Sequence, residues 1–327
     1  MKLRTVQVGY GYWGANISRK LQSSDKFDFV ALCDKDHARL EKAKREILGN
    51  IDFAEDYRIY LENKDIDAFV IATQTEYSFE IGMAAMKAGK HVFMEKPLAT
   101  TVERAERLRD QSIDSRVILH CDHIMLYNPY VRYIKKIYDE GELGELIYID
   151  VEALNLGPIR KDINSLMDLA VHDIALIDWF SGGQSIKNLS AYGETPFGRQ
   201  ETLTYLTLRY ESFIAHIKSS WISPLKIRQR VIAGTKKMVI FDDLSNEKVK
   251  IYDCGIDVIP DKDYFDYAYL TRKGDIYIPN IEWTDSLQNS LEHFAECIEN
   301  EKESLSGANA SVRVMRVLEE AQKRMVS

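Results

Sequence analysis

The sequence predicts an α/β protein. A doubly wound parallel sheet is expected over residues 1–121, and an α+β domain with a large, open, mainly antiparallel sheet over 122–327. Three observations predict this. Short apolar runs alternate with helix-compatible stretches through the first 120 residues, the pattern of consecutive βαβ units. Beyond about residue 122 a helix is followed by successive strand-like runs. A length of 327 residues is long for one core and comfortable for two.

Strands are expected at 4–8, 28–33, 67–72, 91–94 and 117–120. Between them, Leu40-Ala43-Ile47 and Phe79-Met83-Met86 recur at helical spacing, and Gly89 is a stop signal after the second set. Residues 131–138 read as a helix closed by Gly141 and Gly144. Strands follow at 146–154, 186–193, 202–210, 213–221, 228–233 and 237–242, interrupted by a helix over 166–181. The run Thr202–Leu208 alternates with period two, as a strand buried on one side does. Residues 253–282 are aromatic and charged without a clear period and read as loop plus short strands. Leu287, Leu291, Phe294 and Ile298 fall on one helical face, and a last helix spans 309–325.

The first βαβ unit carries the sharpest signal. Val6 and Val8 begin a strand; Gly9, Gly11 and Gly14 follow in G-x-G-x-x-G spacing; a helix and a second strand lead to Asp34. This is the order of the Rossmann dinucleotide-binding unit. Gly9 permits a tight turn, Gly11 lets backbone approach a pyrophosphate, and Gly14 lets the helix pack closely. The helix N-terminus presents N–H groups to phosphate. Asp34 can accept from both adenosine ribose hydroxyls and repels a 2′-phosphate, so NAD is expected, with NADP left open by Lys35. A glycine-rich turn with no ligand is the plain alternative.

Two further groups suggest chemistry. Lys96 follows the strand His91–Met94 and so is delivered to the ligand-binding edge of a parallel sheet. Pro97 disfavours the α region for Lys96. A solvated lysine before a turn is the alternative. Asp168 and His172 are i and i+4 on the expected helix, where an aspartate orients an imidazole and raises its basicity. A purely structural hydrogen-bonded pair satisfies the same spacing. Among weaker candidates, Asn128 suits a sugar hydroxyl or a cap before Pro129, and Arg160 with Lys161 suits a substrate diphosphate or a solvated loop. Tyr127 and Asn155 are further substrate candidates. His120-Cys121-Asp122-His123 resembles a metal cluster on paper. Strand alternation splits it between two faces, so no metal is expected.

Hydrophobic content of 45%, charged content of 29% and a net charge of −8 describe an ordinary globular protein that binds neither nucleic acid nor anionic membrane. The first strand starts near Leu3, leaving no room for a signal peptide, and no apolar run reaches transmembrane length. Cys33, Cys121, Cys254 and Cys297 are scattered and read as reduced thiols of a cytoplasmic protein.

The segments GYGYWGAN, MEKPLAT, LYNPYVRYIKKIYDEGELGEL and DINSLMDLAVHDIALIDW resemble the Gfo/Idh/MocA family, named for glucose–fructose oxidoreductase and inositol dehydrogenase. The likeness runs in order along essentially the whole chain. Tyr-Trp-Gly-x-Asn in the glycine loop, Tyr-Asn-Pro and Asn-Leu-Gly are most similar to a branch associated with nucleotide-linked sugars. The resemblance implies catalysis by Lys96, His172 and Asp168, and cofactor contacts from Gly9, Gly11, Tyr12, Trp13, Gly14, Asp34, Thr73, Glu95 and Lys96. It implies a sugar, polyol or nucleotide-sugar substrate contacted by Tyr127, Asn128, Asn155 and Arg160. It also implies a homodimer or homotetramer built on the open sheet. A ketosugar reductase of deoxysugar synthesis and a non-catalytic NAD- or sugar-sensing regulator are the alternatives. Three departures stand out: Ala72-Thr73-Gln74 replaces Ala-Thr-Pro, Ser78 stands where a histidine is common, and Asn164-Ser165-Leu166-Met167 replaces the glycines before the Asp-His helix.

Overall fold

The computed structural model describes residues 2–161, 163–260 and 267–325. It divides into two compact units: unit 1 is Met1–Tyr127 with Thr284–Glu319, and unit 2 is Asn128–Trp283 with Glu320–Ser327.

Unit 1 is built on a six-stranded sheet of β1 (Leu3–Val8), β2 (Phe27–Cys33), β3 (Asp52–Ala54), β4 (Ala68–Ile71), β5 (His91–Met94) and β6 (Leu119–Cys121), in the order β3-β2-β1-β4-β5-β6. Every pairing is parallel. The order reverses between β1 and β4, the switch point at which such sheets bind ligands. These strands read as continuous apolar runs because helices cover both faces; β4 is buried at all its residues. Helices α1 (Tyr12–Ser23) and α2 (His37–Glu46) bury Ile17, Leu21, Leu40 and Ala43 in one core with Val70 and Phe93. Met94 points the other way, into α3 (Thr75–Lys87) and α4 (Val102–Asp114), where it and Leu108 press on Gly82.

The C-terminal segment 284–319, expected with the second domain, joins unit 1 instead. The reason is α7 (Ser286–Glu299). Its predicted apolar face delivers Leu287, Leu291 and Phe294 to the core that holds Ile17 and Phe93.

Unit 2 begins with α5 (Pro129–Asp139) and carries an eight-stranded sheet. Its strands are β7 (Leu146–Leu156), β8 (Asn188–Glu194), β9 (Leu203–Arg209), β10 (Ile214–Ser220), β11 (Ile222–Gly234), β12 (Met238–Asp242), β13 (Val249–Pro260) and β14 (Tyr267–Tyr277). The order is β14-β13-β12-β11-β7-β10-β9-β8. Only β7 and β10 pair in parallel; the other neighbours are antiparallel. β9 alternates buried and half-buried residues, as its sequence predicts.

Two expectations change here. Residues 253–282 were expected to be loop with short strands, yet β13 and β14 are long and pair along most of their length. Ile256, Val258, Tyr269, Leu270, Ile276 and Tyr277 are all exposed. Apolar and polar residues therefore do not segregate to two faces, and no period marks the strands. Part of the same stretch, residues 261–266, lies outside the described residues. The helix expected over 166–181 is a π-helical turn, Leu166–Ala170, continued by α6 (Val171–Phe180). Such turns occur often at functional sites. Among the described residues no helix is long and apolar enough to cross a membrane.

Candidate active site

The glycine loop follows β1 directly. Gly9 has φ +101°, and a Cβ there would lie 2.4 Å from the Ala72 carbonyl oxygen. A Cβ on Gly14 would lie 2.3 Å from the Gly9 carbonyl oxygen. Both positions therefore exclude a side chain. Gly11 differs, because a Cβ there meets nothing within 4 Å, which leaves a free approach to the backbone. Gly11 is also the N-cap of α1 and offers no capping side chain, so the first N–H groups of the helix remain open to an anion. Buried Gln7 holds the loop, donating from Nε2 to the carbonyls of Gly9 at 2.9 Å and Gly14 at 2.8 Å. Tyr12 and Trp13, expected at the cofactor, are exposed on the first turn of α1.

Asp34 is buried at the end of β2. Its Oδ2 accepts from Tyr10 N at 2.7 Å and its Oδ1 from Asp36 N at 2.9 Å. The carboxylate thus anchors the glycine loop. Each oxygen keeps further lone-pair capacity toward a ribose. Arg39 Nη1 stands 3.9 Å from Oδ2, while the Lys35 ammonium lies 3.8 Å from the centre of the Tyr77 ring.

Thr73 follows β4, and Glu95 and Lys96 follow β5; in a parallel sheet these ends share the edge of the glycine loop. Thr73 Oγ1 lies 2.8 Å from Ser78 Oγ, so the serine that stands in place of a histidine braces the threonine. The Lys96–Pro97 peptide is cis. Glu95 Oε1 is buried with no hydrogen-bond partner. Burial, then the charge of Asp122, raises the Glu95 pKa, against the pull of Lys96. Burial likewise raises Asp122, opposed by a hydrogen bond from Ser290 and by Lys96. The sequence hinted at these neighbours only as a paper metal cluster. His120 spends its ring nitrogens on Ser290 and Ser304, 3.0 and 2.9 Å away. Among the described residues no group of three or more His, Cys, Asp or Glu side chains converges to hold a metal.

In unit 2, Asp168 sits in the π-helical turn and His172, half-buried, in the first turn of α6. Asp168 Oδ2 accepts from Trp221 Nε1 at 3.3 Å, and its Oδ1 is 3.6 Å from Arg160 Nη1. Arg160 is thereby drawn to the catalytic candidate, while Lys161 is exposed. Asn155 uses both ends of its amide internally: Nδ2 donates to Gly157 O at 2.8 Å, and Oδ1 accepts from Arg228 Nη2 at 2.7 Å. Burial, then its neighbour Arg230, lowers the Arg228 pKa. Arg230 itself pairs with Asp173, Nε to Oδ1 at 2.8 Å, with both side chains buried.

Two substrate candidates take structural positions. Tyr127 is buried in unit 1, with its hydroxyl 2.9 Å from Ser306 Oγ and its ring stacked on His120. Asn128 caps α5, its Oδ1 accepting from Tyr130 N at 3.0 Å and Val131 N at 3.4 Å. Of the two readings open for Asn128, the cap is the one this geometry displays.

Comparison with known proteins matches residues 3–123 to the model of an oxidoreductase family with an NAD-binding Rossmann fold, and residues 131–240 to the GFO/IDH/MocA C-terminal domain. A scyllo-inositol 2-dehydrogenase (NAD(+)) of Bacillus subtilis is 27% identical over 321 residues, covering 92% of this chain and 87% of that protein. The UDP-N-acetylglucosamine 3-dehydrogenase of Acidithiobacillus ferrooxidans superposes with a TM-score of 0.83 at 20% identity, covering 99% of this chain and 98% of that one. The aldose-aldose oxidoreductase of Caulobacter crescentus, solved with glycerol, gives 0.81 at 18% identity over 99% and 97% of the two chains. The open backbone at Gly11, the free helix N-terminus and Asp34 all suit the dinucleotide that the first of these domains binds. This chain belongs to the GFO/IDH/MocA family of NAD-binding oxidoreductases.

Proposed function

We propose that this chain moves a hydride between a hydroxyl-bearing carbon of a sugar, polyol or nucleotide-linked sugar and nicotinamide. The observation that carries this reading is Lys96, two residues beyond β5 on the sheet edge that bears the glycine loop. Relatives that act on inositol, aldoses and a UDP-hexosamine support the substrate class. NAD supplies the hydride acceptor at nicotinamide C4. As the carbinol C–H bond breaks, its O–H proton passes to His172 and the carbonyl forms. Lys96 stabilises the developing alkoxide. Asp168 orients His172, and Arg160 beside it contacts the substrate's polar groups.

A panel of inositols, aldoses and UDP-hexosamines with NAD, and of the matching ketones with NADH, tests this by nicotinamide absorbance. Turnover of one class is expected. Binding of NADH with no turnover of any class in either direction would favour a sensor instead.

Asp34 sets the expected cofactor preference. Calorimetric titration should find NADH bound more tightly than NADPH, because a 2′-phosphate meets a buried carboxylate. Asp34→Ser should narrow the gap and also weaken both ligands, since it loosens the anchor at Tyr10 N. Equal affinities in the parent protein would mean that Arg39 and Lys35 outweigh Asp34.

We also propose self-association through the open sheet. Its β13–β14 edge exposes Ile256, Val258, Tyr269, Leu270, Ile276 and Tyr277, apolar side chains that a partner copy can cover. Light scattering should give twice or four times 37.7 kDa at micromolar concentration. A value near 37.7 kDa would exclude the assembly.

A further inference from the structure

Asp168 is held by a closed frame of hydrogen bonds inside unit 2. One half of the frame grips its carboxylate. Oδ2 accepts from Trp221 Nε1 at 3.3 Å. Trp221 is buried between β10 and β11, and its backbone is clamped from both sides. Its N donates to Thr202 O at 2.9 Å, and its O accepts from Gly157 N at 2.7 Å.

The other half grips the turn. Asn164 is buried just before the π-helical turn. Its Oδ1 accepts from Met167 N at 2.9 Å, and its backbone O accepts from Asp168 N at 3.2 Å. Asn164 Nδ2 donates to Glu201 Oε2 at 3.0 Å, and Ser165 N donates to Glu201 O at 2.9 Å. Glu201 and Thr202 are neighbours in sequence. The path from Asp168 through Trp221 to Thr202, and back through Glu201 and Asn164, is therefore a ring. Ser165 Oγ, 3.1 Å from Thr204 Oγ1, ties the turn to β9 as well. Asn164 and Ser165 belong to the stretch that replaces the usual glycines before this helix, and glycine could make none of these side-chain bonds.

The side chains at the carboxylate differ in kind. Arg160, 3.6 Å from Oδ1, has 45% of its side chain exposed, and an exposed ion pair is screened and weakly held. Arg228 on β11 feels the same carboxylate: burial lowers its pKa, and the Asp168 charge is among those that oppose the shift. Trp221 is buried, with one N–H to place and no acceptor of its own. A buried indole N–H needs an acceptor, and Asp168 Oδ2 supplies it. Close packing keeps such a ring from turning, so Trp221 sets the direction of the carboxylate more firmly than either arginine.

We infer that Trp221 is a positioning residue for the reaction: its indole N–H fixes one oxygen of Asp168 and, through Asp168, the ring of His172. The role of that pair rests on the hydride-transfer reading, whereas the contact is tested without substrate or cofactor.

The first arm of the test is NMR of the full-length protein carrying heavy nitrogen at its four tryptophans. Replacing Trp13, Trp179 and Trp283 by phenylalanine in turn assigns their indole signals and leaves that of Trp221. Asp168→Asn exchanges a charged acceptor for a neutral one, so the Trp221 N–H signal should move upfield, and farther than the other three. The second arm is kinetic. Trp221→Phe keeps an aromatic ring in place and removes the donor. Its kcat should fall by about tenfold or more with KM little changed, the usual reach of a hydrogen bond to a charged group. The apparent pKa on the acidic limb for alcohol oxidation should rise, because an N–H donor draws charge from the carboxylate and its loss leaves a stronger anion for the imidazolium. Asp168→Asn moves that limb the other way, and a merely structural role would leave it in place. A Trp221 signal that stays put in Asp168→Asn, or an acidic limb that stays or falls in Trp221→Phe, overturns the assignment. If Trp221→Phe does not fold, the NMR arm decides, since Asp168→Asn keeps the indole. Turnover of no substrate class by the parent protein sinks the hydride-transfer reading instead and leaves the Trp221 contact to the NMR arm.

Discussion

Replacing Lys96 or His172 by alanine is expected to lower turnover by on the order of a hundredfold or more, the usual size of an electrostatic or general-base contribution. The loss should fall on kcat, because an alkoxide charge and a proton in flight exist only in the transition state. NADH affinity should barely move, since the proposed reading sets the adenosine half against the glycine loop and Asp34 rather than either side chain. Asp168→Asn should do less harm. The amide oxygen can still accept from Trp221 Nε1, and only the negative charge is lost. That loss should lower the pKa seen on the acidic limb of the pH–rate profile for alcohol oxidation, because an anion stabilises the imidazolium. Steady-state kinetics on whichever sugar or polyol proves active provide the check. Full activity in both alanine variants would reduce the Asp168–His172 pair to a structural contact.

Arg230→Ala should cost stability rather than chemistry, by about 3–5 kcal/mol. The guanidinium and the Asp173 carboxylate meet at 2.8 Å with 3% and 0% of their side chains exposed. Asp173 Oδ2 is already buried without a partner. Removing the arginine strands a carboxylate inside unit 2, and the cost of that isolated charge exceeds the net worth of the pair. The double variant Asp173→Leu with Arg230→Met should recover most of the loss, because well-packed apolar side chains need no counter-charge. Urea denaturation followed by circular dichroism measures both. A loss under about 1 kcal/mol in Arg230→Ala would show that water reaches the site.

Local patterns in the chain carried the parallel sheet well, for a physical reason. β1, β2, β4 and β5 are covered on both faces, so each is a dense apolar run between breakers. The glycine loop was legible because Gly9 and Gly14 answer to backbone atoms a few residues away or across one strand. What failed to show locally depends on distant chain. The role of Asp34 at Tyr10 N, of Tyr127 at Ser306 and of Asn155 at Arg228 is set by partners that no spacing rule reaches. Asp122 was in view as one of four polar residues in a row, but its meaning comes from Ser290, far along the sequence. The π-helical turn left no mark because one extra residue in a helix keeps the same apolar content.

The return of residues 284–319 to unit 1 bears on how the protein is made. Leu287, Leu291 and Phe294 complete the core around Ile17, Leu21 and Phe93, and Cys121 N closes on Ser306 O at 3.0 Å. During synthesis the glycine loop and its sheet leave the ribosome long before α7 exists. The nascent first unit must wait with an apolar face bare while all of the second unit is translated, a period in which chaperones have something to hold. The same wait is built into any gene fragment that stops at Tyr127: it encodes every strand of the parallel sheet and lacks the helix that shields it.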